Sequence, residues 1–183
     1  MVKLVTPICD FGQPAYPFKL TSVDGMQYSL QDCLGENGLV IAFICNHCPY
    51  VQAILPSLIK DAHLLINEGV GLAAIASNDV KTYPEDNFEN MQIVSKQYQF
   101  PFPYLLDETQ DVAKAYGAVC TPDFFGYSAD LKLQYRGRLD ASGIQPAKPG
   151  TKRDLVDAMR LVAKTGKGPE LQHVSQGCSI KWI

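Results

Sequence analysis

No apolar run in the chain approaches the roughly 20 residues needed to span a membrane as a helix. The start, MVKLVTPICDFG, lacks a positive segment followed by an apolar one, so no export signal is expected. Basic charge is not in excess. Sixteen Lys and Arg stand against 19 Asp and Glu, for a formal net charge of −3, which argues against a nucleic-acid partner. Histidine is scarce at three residues, and His63 and His173 form no ligand pair. Neither an internal repeat nor a low-complexity tract is visible. These absences point to a cytoplasmic protein with neither a membrane nor a nucleic-acid partner.

Apolar residues make up 46% of the 183 and charged residues 19%, enough for a core and against general disorder. The length suits a single domain over residues 1–183. Six cysteines are present: Cys9, Cys33, Cys45, Cys48, Cys120 and Cys178. They are about 3% of the chain, well short of the roughly 8–10% of a disulfide scaffold. Two of them are spaced CxxC.

Their setting follows from a pass along the chain. Residues 1–17 read as loop, with Pro7, Pro14 and Pro17. Phe18–Leu20 and Gln27–Leu30 flank Asp24-Gly25, a hairpin signal. After a turn at Gly35–Gly38, Leu39–Ile44 is a continuous apolar run, as in a strand buried on both faces. It feeds directly into Cys45-Asn46-His47-Cys48-Pro49. Val51, Ile54, Leu55, Leu58, Ile59, Ala62, Leu65 and Ile66 then recur at helical spacing, with a kink expected at Pro56 and a stop at Gly69. Gly71–Ala76 is a second buried strand. Pro84-Glu85-Asp86 opens a helix with Phe88, Met91, Val94 and Tyr98 as its buried stripe. Tyr104–Leu106 reads as a strand and Gln110–Tyr116 as a helix closed by Gly117. Phe124–Tyr127 and Leu131–Tyr135 pair around Ser128–Asp130. A last amphipathic helix spans Asp154–Lys164. The alternation predicts an α/β fold with a central, partly parallel sheet.

A CxxC has several chemical meanings. Half of a zinc site needs a second ligand pair, and none is evident. A c-type haem needs His after the second Cys, where Pro49 stands. A redox dithiol is favoured where a buried strand feeds the motif and a helix starts within it. Helix N–H groups then stabilise a thiolate. On this reading Cys45 lies just before the helix, exposed and acidified, as nucleophile. Cys48 lies in the first helical turn, more buried, as resolving thiol. His47 either supports the Cys45 thiolate, making the couple more oxidising, or is an exposed residue of the helix start with little effect. Asn46 suits the helix start. Far along the chain, Val119-Cys120-Thr121-Pro122 separates a helix from a strand. Its Thr-Pro bond is either a specific cis turn or an ordinary loop proline.

Strand, CxxC, helix and a later Thr-Pro before a strand together resemble the thioredoxin fold, whose cis-proline loop faces its CxxC. CNHCPYV, SND…YPEDNFENM, GAVCTPDFF and the terminal GCSIKW resemble the peroxiredoxin-like group of AhpC/TSA-related proteins, over about Phe18 to Trp182. The resemblance implies a mixed sheet flanked by helices, with an N-terminal hairpin extension and a C-terminal tail. It implies Cys45 and Cys48 as the dithiol, and Thr121 with cis Pro122 opposite. The sequence departs from the peroxiredoxin pattern PxxxTxxC. With Cys48 in the peroxidatic place the Thr position is Cys45; with Cys45 there it is Ala42. Neither register keeps the hydroxyl that orients a peroxide. Arg136 and Arg138 are candidates to stand near the site.

If the Thr-Pro loop faces the CxxC, Cys120 can approach the dithiol as a third redox thiol; otherwise it fills a loop pocket. Cys178 in the tail is open to the same two readings, with Trp182 as an anchor or a docking residue. Cys9 and Cys33 read as structural. The expected function is a thiol–disulfide oxidoreductase acting on a disulfide-bearing protein or small molecule and regenerated by an external dithiol, with no metal or organic cofactor. The alternatives are a thiol peroxidase acting on a hydroperoxide and a thiolate metal-binding or chaperone module.

Overall fold

The computed structural model describes residues 3–183; residues 1 and 2, the head of the segment expected as loop, lie outside the described residues. In chain order the elements begin with strands β1 (Lys3–Val5), β2 (Lys19–Ser22) and β3 (Gln27–Ser29), the short helix α1 (Leu30–Cys33) and strand β4 (Gly38–Phe43). Helix α2 (Pro49–Asn67), strand β5 (Val70–Ala76), helix α3 (Phe88–Tyr98) and strand β6 (Tyr104–Leu106) follow. The chain closes with α4 (Asp111–Tyr116), β7 (Cys120–Thr121), β8 (Asp123–Tyr127), β9 (Leu133–Gly137), α5 (Asp154–Thr165) and β10 (Gln176–Ser179).

Seven strands form one mixed sheet in the order β3-β2-β6-β5-β4-β8-β9. β4, β5 and β6 run parallel at its centre, and β8 lies antiparallel to β4. Every residue of β4 is buried, as expected of an apolar strand covered on both faces. Its side chains alternate between two cores. Val40 and Ala42 pack under α2 and α5, with Leu58, Leu65, Leu155 and Met159. Leu39, Ile41 and Phe43 pack on the opposite face, with Cys33 of α1 and Tyr116 of α4. α2 runs continuously through Pro56 and ends before Gly69, whose φ of 80° suits a residue without Cβ. Among the described residues no helix is long and apolar enough to cross a membrane.

Several elements differ from expectation. Pro84–Asp86 is a separate 3-10 turn, and α3 starts afresh where Asn87 Oδ1 accepts from Asn90 N at 2.9 Å. Leu131 has φ of 57° and belongs to the turn, so β9 begins at Leu133. Leu30–Cys33 forms α1, opened by a capping box in which Ser29 and Asp32 bond each other's backbone N–H. The larger surprise lies at the termini. β1 and β7 flank β10 in a separate three-stranded sheet, so the N-terminal segment is not wholly loop and the tail is a strand.

Candidate active site

β4 delivers the chain into the motif, and Pro49 occupies the first position of α2. Proline is favoured there because its missing N–H would have no partner. Cys48 is therefore the N-cap and Cys45 lies three residues before it. The cis Thr121–Pro122 bond stands opposite, as the resemblance implied. Thr121 touches both sulfurs: its Oγ1 is 3.3 Å from Cys45 Sγ, and its carbonyl oxygen lies 3.1 Å from Cys48 Sγ.

Cys45 is not exposed as expected. Its relative exposure is 1% and that of Cys48 is 0%, because Thr121 closes on the first and the tail strand β10 on the second. The expected order of acidity is reversed as well. Cys48 is pushed down to about 5, chiefly by the hydrogen bond from the Cys45 thiol. Burial opposes this, while the Cys178 thiol and the amides of Val51 and Cys178 add to it. Cys45 is held well above the ordinary thiol range by the proton it gives to Cys48, by burial and by the charge of Asp86. The chief physical reason is that Cys48 accepts the Cys45 proton; its place just before Pro49 at the helix N-terminus adds the smaller contribution of the Val51 amide.

Asp86 was not singled out from the sequence. It is buried beneath the motif and accepts from four groups. Oδ1 takes the backbone N–H groups of Asn46 at 2.8 Å and His47 at 3.2 Å. Oδ2 contacts His47 Nδ1 at 2.6 Å and accepts from Asn78 Nδ2 at 2.7 Å. His47 is thus a partly buried, oriented side chain, stacked on Tyr83 with ring centroids 5.6 Å apart and planes 5° apart. Tyr104, through its hydroxyl, donates to Asn46 Oδ1 at 3.0 Å and fixes the loop from the other side. Donor atoms of Cys45, His47 and Asp86 all lie within 4.8 Å of one another. A metal there would have to displace hydrogen bonds, because both carboxylate oxygens already take two partners each. The arrangement suits proton transfer better: a sulfur, an imidazole and a carboxylate that orients it.

The spare cysteines separate. Cys178 Sγ lies 3.0 Å from Cys48 Sγ, at the site. Cys120 does not join them. Thr121 pairs with Cys178 and Cys120 with Ser179, so alternation turns Cys120 to the other side, where its thiol faces the Pro122 carbonyl at 3.6 Å. Burial pushes Cys33 up to about 12 and Cys9 up to about 11, as for inert structural thiols. All six thiols are free. Neither arginine bonds Cys45 or Cys48: Arg136 binds Asp123 at 2.9 Å and the Gly117 carbonyl at 2.8 Å, and Arg138 binds Asp154 at 2.7 Å. Trp182 is 44% exposed and is not the anchor of the tail. Buried Ile180 is, together with bonds from Lys181 N to Asn78 Oδ1 and from Ile183 N to Gln110 Oε1, both at 2.9 Å.

A model of the AhpC/TSA family matches residues 11–139. An uncharacterised conserved protein of Geobacillus kaustophilus shares 44% identity over 100% of this chain and 97% of its own, with a TM-score of 0.94. A hypothetical protein of Sinorhizobium meliloti shares 38% over 98% and 97%, with a TM-score of 0.87. A secreted disulfide oxidoreductase of Mycobacterium tuberculosis, described as homologous to E. coli DsbE, shares 25% over 64% and 80%, with a TM-score of 0.54. The fold is the thioredoxin fold, which thioredoxin-family structures share at lower identity. No curated protein matches the sequence.

Proposed function

The chain belongs to the AhpC/TSA family, and from that premise we propose that it is a thiol–disulfide oxidoreductase working through Cys45 and Cys48. The observation that carries this is the pair of free thiols at the start of α2, both touching Thr121 and facing cis Pro122. The Mycobacterium tuberculosis structure named as a disulfide oxidoreductase supports the reading.

The acidity orders the steps. Docking first displaces the Thr121–Pro122 loop or the tail that covers the sulfurs. A cavity of about 350 Å³ beside Pro122, lined also by Tyr50, Ile54 and Ser175, offers room for the substrate chain. The Cys48 thiolate then attacks one sulfur of the substrate disulfide. A Cys48–substrate bond forms, and the other substrate sulfur leaves as a thiolate. Cys45 next loses its proton toward His47, which Asp86 orients, and attacks Cys48 Sγ. That step forms the Cys45–Cys48 disulfide and releases the second substrate thiolate. An external dithiol, of the kind a reducing cytoplasm supplies, restores the pair.

Reductant-coupled turnover of a disulfide such as insulin tests the proposal. At pH 7 an ordinary thiol with pKa near 9 is only about 1% thiolate, so Cys48→Ser should lower turnover by at least about 100-fold. Wild-type turnover in that variant would remove Cys48 from the mechanism. A substrate adduct found on Cys45 and none on Cys48 would return the attacking role to Cys45.

A further inference from the structure

The mechanism above uses two of the three sulfurs that meet at the head of α2. Cys178 Sγ lies 3.0 Å from Cys48 Sγ across 130 residues of sequence. A disulfide needs about 2.05 Å, so the two sulfurs must close by about 1 Å. The approach is built into the fold. Cys178 stands directly opposite Thr121 in the β10–β7 ladder, so both side chains leave the same face. Thr121 in turn touches Cys45 with its hydroxyl and Cys48 with its carbonyl. β10 is gripped on its other edge by β1, through Lys3, Leu4 and Val5. Ser175, just before the strand, donates to the Pro122 carbonyl at 2.8 Å. The tail is thus fastened to the cis-proline loop on both sides of Cys178.

We propose that Cys178 is a third redox thiol of this site, so that Cys48 is the shared sulfur of two alternative disulfides, Cys45–Cys48 and Cys48–Cys178. The inference rests on the dithiol reading above and deepens it. When a substrate sulfur is bound to Cys48, Cys178 gives up its proton and attacks Cys48 Sγ. The Cys48–Cys178 bond forms, the Cys48–substrate bond breaks, and the substrate leaves as a thiolate that takes up a proton. When the Cys45–Cys48 disulfide is already present, the same attack moves it: Cys48–Cys178 forms and Cys45 is released as a thiol, with no net oxidation. The external dithiol reduces either disulfide. Cys45 and Cys178 are therefore two resolving thiols that share one attacking sulfur.

The test uses Cys45→Ser and Cys45→Ser/Cys178→Ser in the full chain, oxidised with diamide and mapped by mass spectrometry. Cys45→Ser should form an intramolecular Cys48–Cys178 disulfide, and the double variant should form none. An aromatic disulfide added to both should leave an adduct on Cys48 that persists at least about tenfold longer in the double variant, where nothing resolves it. Partial oxidation of the wild type provides a second measurement, independent of how well the variants fold. A Cys48–Cys178 peptide should appear there beside the Cys45–Cys48 one. Its absence at every degree of oxidation, or equal adduct lifetimes in the two variants, would overturn the role of Cys178. Wild-type turnover through Cys45–Cys48 without that peptide leaves the dithiol reading intact. A wild type that forms no Cys45–Cys48 disulfide and reduces no substrate defeats the dithiol reading instead, whatever Cys178 does.

Discussion

At the scale of single residues, the distribution of charge between Cys45 and Cys48 separates this site from an ordinary pair of buried thiols. Desolvation alone raises a thiol pKa, as Cys33 shows at about 12. Cys48 is equally buried yet sits at about 5, because protonated Cys45 and Cys178 and the head of α2 favour its charged form. The sign is explicit. Cys48 is held well below the ordinary thiol range by the proton Cys45 donates to it, so its thiolate fraction should change little between pH 6 and 8. Alkylation of Cys48, followed peptide by peptide, should therefore be nearly flat in rate over that interval. An ordinary thiol would instead react roughly tenfold faster per pH unit there, since its thiolate fraction rises that way below its pKa. That slope at Cys48 would contradict the acidity argued for it. The residue scale also shows what local patterns hide. Asp86 touches His47 from 39 residues away, and no spacing rule links PED to CNHC.

At the scale of elements, the strand-to-helix junction was legible because its signals are local. The apolar run of β4, Pro49 and the repeating stripe of α2 all lie within about one βα unit of the thiols. The β1–β10–β7 sheet was not legible. Its strands have two to four residues each, and β10 reads QGCS, with neither apolar alternation nor β-branched residues. Only closure of the fold brings the two termini to the cis-proline loop. Gly177 records the closeness of that contact, since a Cβ there would collide with the Thr121 carbonyl. Gly177→Val should push β10 off β7, at about 1–3 kcal/mol of stability, the usual cost of overpacking. It should also suppress the Cys48–Cys178 disulfide while leaving the Cys45–Cys48 disulfide able to form. Denaturant unfolding and disulfide mapping check the two effects. Unchanged stability together with an undiminished Cys48–Cys178 linkage would show that the strand does not position Cys178.

At the scale of the whole molecule, the thioredoxin fold makes a bank of parallel strands present one helix N-terminus to one loop, and Cys45 and Cys48 sit where the two meet. Arg136 and Arg138, which the sequence left as candidates near the thiols, instead fasten β9 to β8 and to α5 through Asp123 and Asp154. On the proposed reading, the buried sulfurs, the oriented His47 and the clasped tail exchange disulfides only after the cover moves. The central claim is that Cys45 and Cys48 form a reversible redox couple. Equilibration with glutathione buffers, read by mapping of the Cys45–Cys48 disulfide, measures it directly. The account predicts a potential between about −270 mV, as in thioredoxin, and about −120 mV, as in a dedicated oxidant. No disulfide at any poise, or one more reducing than about −300 mV as in structural bridges, would contradict it.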